Sequence, residues 1–218
     1  MTQTTLPSRP HRQTGAALAL AGVILAGCAN VTLPAMSSLV VPHRPAMGWD
    51  ARPEAAAWTE ASLMAVARQD AVLAGVVPAD VGQWCPGYAE AALTDRRAFW
   101  AGLLSAVAEH ESSWNPGAVG GGGRWIGLMQ ISPATAQNNG CDATSAAALK
   151  DGAANLQCAV LIVAAQVARD GEVSGAGGTR GIGRDWAPLR SSAKRSGLQN
   201  WTAAQDYCQE PQQISGGG

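Results

Sequence analysis

Apolar residues recur at three- and four-residue intervals along several stretches of the chain, the spacing of one face of an α-helix. Residues 54–74 carry Trp58, Leu63, Met64, Val66 and Val72 in an alanine-rich context. Residues 89–115 place Phe99, Trp100, Leu103, Leu104 and Val107 at the same spacing, and Asn115-Pro116-Gly117 supplies the turn that ends this helix. A helix over 133–139 is predicted from Ser132 as N-cap and Pro133 in the first helical position. Residues 151–169 form a long apolar helix through Leu156, Val160, Leu161, Val163 and Val167, stopped at Gly171. Gly175, Gly177, Gly178, Gly181 and Gly183 read as a flexible connection to a C-terminal helical part. Alternating segments are few, and strand content reduces to a short hairpin near 125–131. The fold class is mainly α.

The N-terminus follows a different pattern. Residues 1–15 are polar and basic (Arg9, His11, Arg12), and the apolar run 16–27 behind them is too short to span a bilayer. Basic region and apolar run together read as a signal peptide over 1–27. The run ends in Leu25-Ala26-Gly27-Cys28, which resembles the bacterial lipobox; the resemblance implies cleavage behind Gly27 and a lipid on Cys28. Such a lipid tethers a protein to a membrane without spanning it. Ala29 resembles the residue that sorts lipoproteins to the outer membrane of diderm bacteria. Residues 28–53, with Pro34, Pro42, Pro45 and Pro53 and no period, are expected to be an extended tether. The domain proper is expected over 54–210, with a disordered tail over 211–218.

Composition narrows the function classes. The chain has 218 residues, 15 Lys plus Arg against 16 Asp plus Glu, 14% charged residues and 47% apolar ones. Without residues 1–27 the balance is 13 against 16, a net −3. A near-neutral to acidic chain lacks the basic footprint of a nucleic-acid-binding protein. With Cys28 assigned to lipid, Cys85, Cys141, Cys158 and Cys208 remain. An even number behind a secretory signal indicates two disulfides, although four cysteines allow three connectivities. Cys141 with Cys158, close in sequence, and Cys85 with Cys208, stapling the C-terminus to the body, is the expected pairing. No Cys-x-x-Cys pair or His cluster calls for a metal, and nothing calls for a cofactor.

The chemistry concentrates between residues 107 and 136. At about 100° per residue, Trp100, Leu104 and Val107 lie within about 40° of Glu111 around the helix axis. Glu111 therefore continues the apolar stripe, whereas Glu109 points to the opposite, solvated side. A carboxyl on a buried face tends to keep its proton, as a general acid must near neutral pH.

Glu111-Ser112-Ser113-Trp114-Asn115-Pro116 is followed by a glycine-rich loop and then by Gly127-Leu128-Met129-Gln130-Ile131-Ser132-Pro133-Ala134-Thr135-Ala136. The two blocks, in this order and at this distance, resemble the soluble lytic transglycosylase (SLT) family of the lysozyme superfamily. The resemblance covers roughly residues 85–208, with 98–136 its specific part. It implies a lysozyme-like fold and cleavage of the β-1,4 bond between N-acetylmuramic acid and N-acetylglucosamine in peptidoglycan. Glu111 would be the sole acid/base. It would protonate the glycosidic oxygen, then take the proton of the muramic C6 hydroxyl as that oxygen attacks C1, leaving a 1,6-anhydro sugar. The oxocarbenium-like centre is stabilised in this family by the substrate's own acetamido group, so the second carboxylate usual in glycoside hydrolases is not needed.

Further roles attach to single positions. Gly127 would allow close approach of backbone to sugar, and Gln130 would pair with acetamido and hydroxyl groups. Ser112 would orient either Glu111 or the sugar. Met129 is either groove floor or core. Trp114 and Trp125 are each either a sugar-stacking platform or a packed indole. Many family members carry an Ala-Tyr-Asn type motif whose tyrosine lies near the acid; the comparable stretch here, Gly183 to Arg190, has no tyrosine. Trp186 would fill that space, or Asp185 would replace the polar contact. Arg180, Arg184, Arg190, Lys194 and Arg195 face Asp185 alone within 180–195, either as a solvated face or as a groove wall that attracts carboxylates.

The expectation is a lytic transglycosylase that acts on peptidoglycan strands, lipid-anchored on the periplasmic face of the outer membrane. The alternatives are a hydrolytic muramidase and a catalytically weak peptidoglycan-binding scaffold lipoprotein.

Overall fold

A computed structural model describes residues 44–210. The expected signal peptide, Cys28 and the C-terminal tail lie outside the described residues. Five helices follow in order: α1 (Ala55–Arg68), α2 (Leu93–Ser112), α3 (Pro133–Asn138), α4 (Gly152–Asp170) and α5 (Ser192–Ala203). Short 3₁₀ turns fill the connections, among them 187–190 ahead of α5. Between α2 and α3, β1 (Val119–Gly120) pairs antiparallel with β2 (Trp125–Ile126), with Val119 opposite Ile126 and Gly120 opposite Trp125. A further bridge joins Ile126 to Ile131, so the hairpin region expected over 125–131 reaches back to Val119.

Local chemistry sets the element ends. Ser132 Oγ accepts from Thr135 N at 3.0 Å with Pro133 in the first turn, and Asp151 Oδ1 accepts from Ala154 N at 2.8 Å to start α4. Each satisfies a donor that a helix start leaves unpaired. Helix α1 stops at Arg68 rather than running to 74. The chain turns there so that Leu73 enters the core and Asp70 pairs with Arg97 of α2. Helix α2 begins at Leu93 rather than 89, because Tyr88 is pinned ahead of it. Its hydroxyl donates to Leu73 O at 3.1 Å and accepts from Trp100 Nε1 at 3.0 Å.

Helix α2 is the axis of the domain. Every residue from Ala98 to Ala108 is buried, so the helix is enclosed all round rather than along one stripe. Helices α1 and α4 pack closely on each other, and a Cβ at Gly152 would meet Trp58 Nε1 at 2.3 Å. By length and composition α4 could cross a membrane, but most of it is buried inside this domain.

Two expectations are corrected. The extended tether does not reach residue 53: Met47 and Trp49 are core residues, Trp49 with 0% exposure. Gly48 N donates to Ser105 Oγ at 2.8 Å, Tyr207 Oη donates to Ala46 O at 3.2 Å, and Trp49 packs edge-on against Trp58. A lone indole among prolines has no period to betray its burial. Nor do the glycines of 175–183 form a flexible connection. A Cβ at Gly178 would lie 1.8 Å from Leu189 O and one at Gly181 2.2 Å from Glu172 O, so the segment is folded tightly on itself. The carboxylate of Asp80 fastens its start by accepting from the backbone N–H groups of Val173, Ser174 and Gly175.

Both expected disulfides are present, Cys85–Cys208 across 123 residues and Cys141–Cys158 across 17. Chain entropy assigns about 3 kcal/mol to a loop of the shorter kind and about 4.7 kcal/mol to one near a hundred residues. Cys85→Ala/Cys208→Ala is therefore expected to lower stability in urea more than Cys141→Ala/Cys158→Ala. An equal or reversed order would show that strain or residual unfolded structure outweighs loop length.

Candidate active site

Glu111 occupies the last turn of α2, just beyond the enclosed stretch. It is half-buried, whereas Glu109 is exposed, as the helical projection requires. Burial pushes the Glu111 carboxyl above its ordinary value of 4.5, against the opposing pull of Lys194 and Arg190. Desolvation wins over two cations because they stand at the exposed rim, where water screens them.

The strand-and-turn segment after α2 is fastened to this helix end. Ser112 Oγ donates to Leu128 O at 2.9 Å and to Ala108 O at 3.2 Å. Ser112 thus positions the turn that carries Glu111 rather than reaching for substrate. Trp114 is part of the same fastening: its Nε1 donates to Ser105 O at 2.8 Å and its ring packs on the core. Ser113, Trp114 and Gln130 are the non-glycine residues at positive φ among the described residues, at 52°, 55° and 49°. Such backbone costs about 1–3 kcal/mol per residue and concentrates where the surrounding structure holds a site in shape.

A residue the sequence reading did not single out organises the Gly127–Gln130 turn. Asn155 of α4 has 0% exposure. Its Oδ1 accepts from Met129 N at 2.9 Å, and its Nδ2 donates to Ile126 O and Leu149 O at 3.0 Å each. An asparagine inside an otherwise apolar helix was the available signal, since a buried amide needs partners. Gly127 serves this contact: at φ 81°, its Cβ would stand 2.2 Å from Leu149 O and 2.3 Å from Asn155 Nδ2.

The remaining predicted residues divide by exposure. Met129 has no exposed surface, yet it borders the small polar cavity beside Trp125, as part of the core that forms the cavity wall. Trp186 is buried as well, with Nε1 donating to Met129 O at 2.9 Å, which braces the turn. Tyr88 and Tyr207 are both buried in hydrogen bonds elsewhere. Gln130 is half-buried and donates through Nε2 to Gly127 O at 2.9 Å, leaving limited capacity for substrate. Trp125 is 42% exposed, with the Arg124 guanidinium 4.7 Å above its ring, and remains the open aromatic platform. Trp125, Gln130, Ser132, Thr135, Asp185 and Trp186 border a small polar cavity of about 100 Å³. Asp185 accepts from Gln166 Nε2 at 2.9 Å, and burial holds its carboxyl above the ordinary range, against the pull of that bond, Arg190 and Arg184.

A larger, mostly apolar cavity of about 630 Å³ lies away from this region, between α1, the start of α2 and residues 204–207. Glu111 lines neither cavity; it stands at the end of α2 with Lys194 and Arg190 acting on it.

Residues 89–177 match the family described as Transglycosylase SLT domain. Among solved structures, the chain is similar to Bd0314 DslA in a wild-type form and in two glutamate-to-glutamine mutants. Each shares 26% identity at a TM-score of 0.68, and the match covers 76% of this chain and 99% of the other. No protein of curated function matches the chain.

Two stability outcomes are expected. Gly127→Ala should cost about 3 kcal/mol or more in urea unfolding, from strained backbone plus displacement of Asn155. Gly122→Ala, whose Cβ meets nothing within 4 Å, should cost much less; equal losses would show that the packing contact is unimportant. For Glu111, the folded state holds the proton more tightly than the unfolded chain, so ionisation costs stability as pH rises past 4.5. Glu111→Gln should therefore melt higher than wild type at neutral pH, the gap closing below that value. A variant no more stable at neutral pH would contradict the desolvated acid.

Proposed function

We propose that the protein, whose residues 89–177 match the transglycosylase SLT domain family, cleaves peptidoglycan strands by lytic transglycosylation, with Glu111 as the general acid/base. The observation that carries this reading is Glu111 itself, a carboxyl at the end of an enclosed helix whose hold on its proton is raised by burial. In the first half-reaction Glu111 gives its proton to the glycosidic oxygen while the bond from that oxygen to muramic C1 breaks. In the second, the resulting carboxylate takes the proton of the C6 hydroxyl as its oxygen bonds to C1. Atoms and charge balance without water, and Glu111 returns to its starting state. Trp125 offers a face on which a pyranose ring can stack. The lipid on Cys28 and the periplasmic face of the outer membrane belong to the same proposal, supported by the lipobox-like Leu25-Ala26-Gly27-Cys28.

A specific observation favours the hydrolytic alternative. Asp185 supplies a second carboxylate in this region, acting on the same Arg190 that acts on Glu111. Inverting and retaining hydrolases use two carboxylates, one of them to activate water or attack the sugar.

Mass spectrometry of muropeptides released from sacculi separates the two, because the anhydro product is one water lighter than the hydrolysed one. Glu111→Gln should lose turnover by about 10²–10⁴-fold, the usual contribution of a general acid/base, while Glu109→Gln stays near wild type. Near-normal release by Glu111→Gln would remove Glu111 from the mechanism.

A further inference from the structure

The cations around the cleft are not equivalent. Arg184 pairs with Asp170 and holds that carboxyl down at about 2, Arg180 pairs with Glu172, and Arg195 donates to Leu189 O at 2.7 Å. The acids that satisfy Arg180 and Arg184 come from outside the 180–195 window, at the end of α4 and just after it. Arg190, Lys194 and Arg195 have no carboxylate within ion-pair distance among the described residues, and of these Arg190 and Lys194 act on Glu111. Arg190, on the 3₁₀ turn 187–190, is held in one orientation by Gly183 O at 3.0 Å and by Arg184 O. Carbonyls orient a guanidinium without neutralising it. Asp185 lies near Arg190 but is engaged by Gln166. Lys194 stands exposed in the first turn of α5.

The 187–190 turn and α5, which carry these two cations, both pack against α2. The two cations work against Glu111, since each favours loss of the proton that the acid must hold. The charge itself neutralises nothing in the fold, because the carbonyl contacts of Arg190 do not need it and the Lys194 side chain makes no hydrogen bond or ion pair among the described residues. An incoming anion explains the placement of the two cations. The pyranose rings and hydroxyls of a glycan strand are neutral, but each muramyl residue carries a lactyl arm ending in a carboxylate or in a peptide that bears carboxylates.

We propose that Arg190 and Lys194 form a carboxylate subsite that receives the acidic group on the lactyl arm of the muramyl residue at the cleavage point. This rests on the peptidoglycan-cleaving reading of Glu111. The planar guanidinium suits two-point recognition of a carboxylate, and the ammonium adds a mobile point charge. Occupation would neutralise the pair only when a muramyl carboxylate is in place, so that Glu111 keeps its proton best with substrate bound. The subsite also distinguishes the two sugars of the repeat, because N-acetylglucosamine has no lactyl arm.

The test uses the full-length protein and its Lys194→Gln and Arg190→Gln variants on three substrates. These are intact sacculi, glycan strands freed of peptide by an amidase, and sacculi whose carboxylates have been converted to amides. Half-saturating substrate for Lys194→Gln should rise about three- to fivefold, the range of a partly exposed ion pair, with kcat nearly unchanged. On amidated sacculi, wild type and variant should coincide. A rise on intact sacculi alone identifies the stem-peptide carboxylate, and a rise on stripped strands identifies the lactyl carboxylate. An equal change on amidated and untreated material, or no change on either, overturns the proposal. Arg190→Gln should follow Lys194→Gln; where it loses fold, Lys194→Glu replaces it and should give the larger rise. Co-sedimentation in the Glu111→Gln background reads binding alone. Charge-dependent binding without any cleavage by wild type would overturn the enzymatic reading while leaving the subsite standing.

Discussion

Enclosure of α2 is the constraint on which the rest of the structure depends. A helix with every residue from Ala98 to Ala108 buried cannot shift or rotate without disturbing packing on all sides. Space around it is so limited that a Cβ at Gly102 would meet Tyr207 Oη at 2.1 Å. Its one buried hydroxyl, Ser105, is satisfied by Gly102 O at 2.6 Å and by Gly48 N. The helix end is therefore placed by the core, and Glu111, one residue short of that end, inherits the placement. Half-burial of a carboxyl in the last turn is a by-product of where the core stops.

The opposite wall depends on polar contacts as well as buried side chains, because the backbone of a turn with left-handed residues carries donors and acceptors that no helix or sheet satisfies. Asn155 supplies from α4 the partners that the Ile126–Met129 backbone lacks, and Ser112 and Trp186 tie the same turn to α2 and to the 187–190 region. Cys158 lies about one helical turn beyond Asn155, so the Cys141–Cys158 bridge locks the loop after α3 to the helix that holds the turn. The positive φ angles of Ser113, Trp114 and Gln130 persist because contacts from several elements over-determine them.

Much of this was legible in the residues. Helical spacing revealed α1, α2 and α4, the Ser132-Pro133 pair marked α3, and the angular position of Glu111 relative to Trp100, Leu104 and Val107 predicted its burial. What escaped was tertiary in origin. Trp49 and Met47 carry no period, so their burial follows only from the space that α2 leaves near Ser105. The glycines of 175–183 look like a hinge in one dimension and are a close-packed corner in three. Met129, Trp186 and Gly127 are all chemically suggestive, yet Met129 and Trp186 are buried and Gly127 packs on Leu149 and Asn155, and nothing in the local sequence separates a residue that shapes a turn from one that touches a ligand. The charges of 180–195 were misjudged for a similar reason, since Asp170 and Glu172 neutralise two of them from outside the window.

The electrostatics of the cleft follow from these two walls. Desolvation at the end of α2 and cations on the 187–190 turn and α5 act on one carboxyl in opposite directions, and desolvation prevails. Burial is set by the core and is the same with or without ligand. The cationic contribution is not fixed, because Arg190 and Lys194 lie at the surface and respond to any anion that reaches them. The proton affinity of Glu111 is thus divided into a constant part supplied by packing and a variable part open to control from the groove.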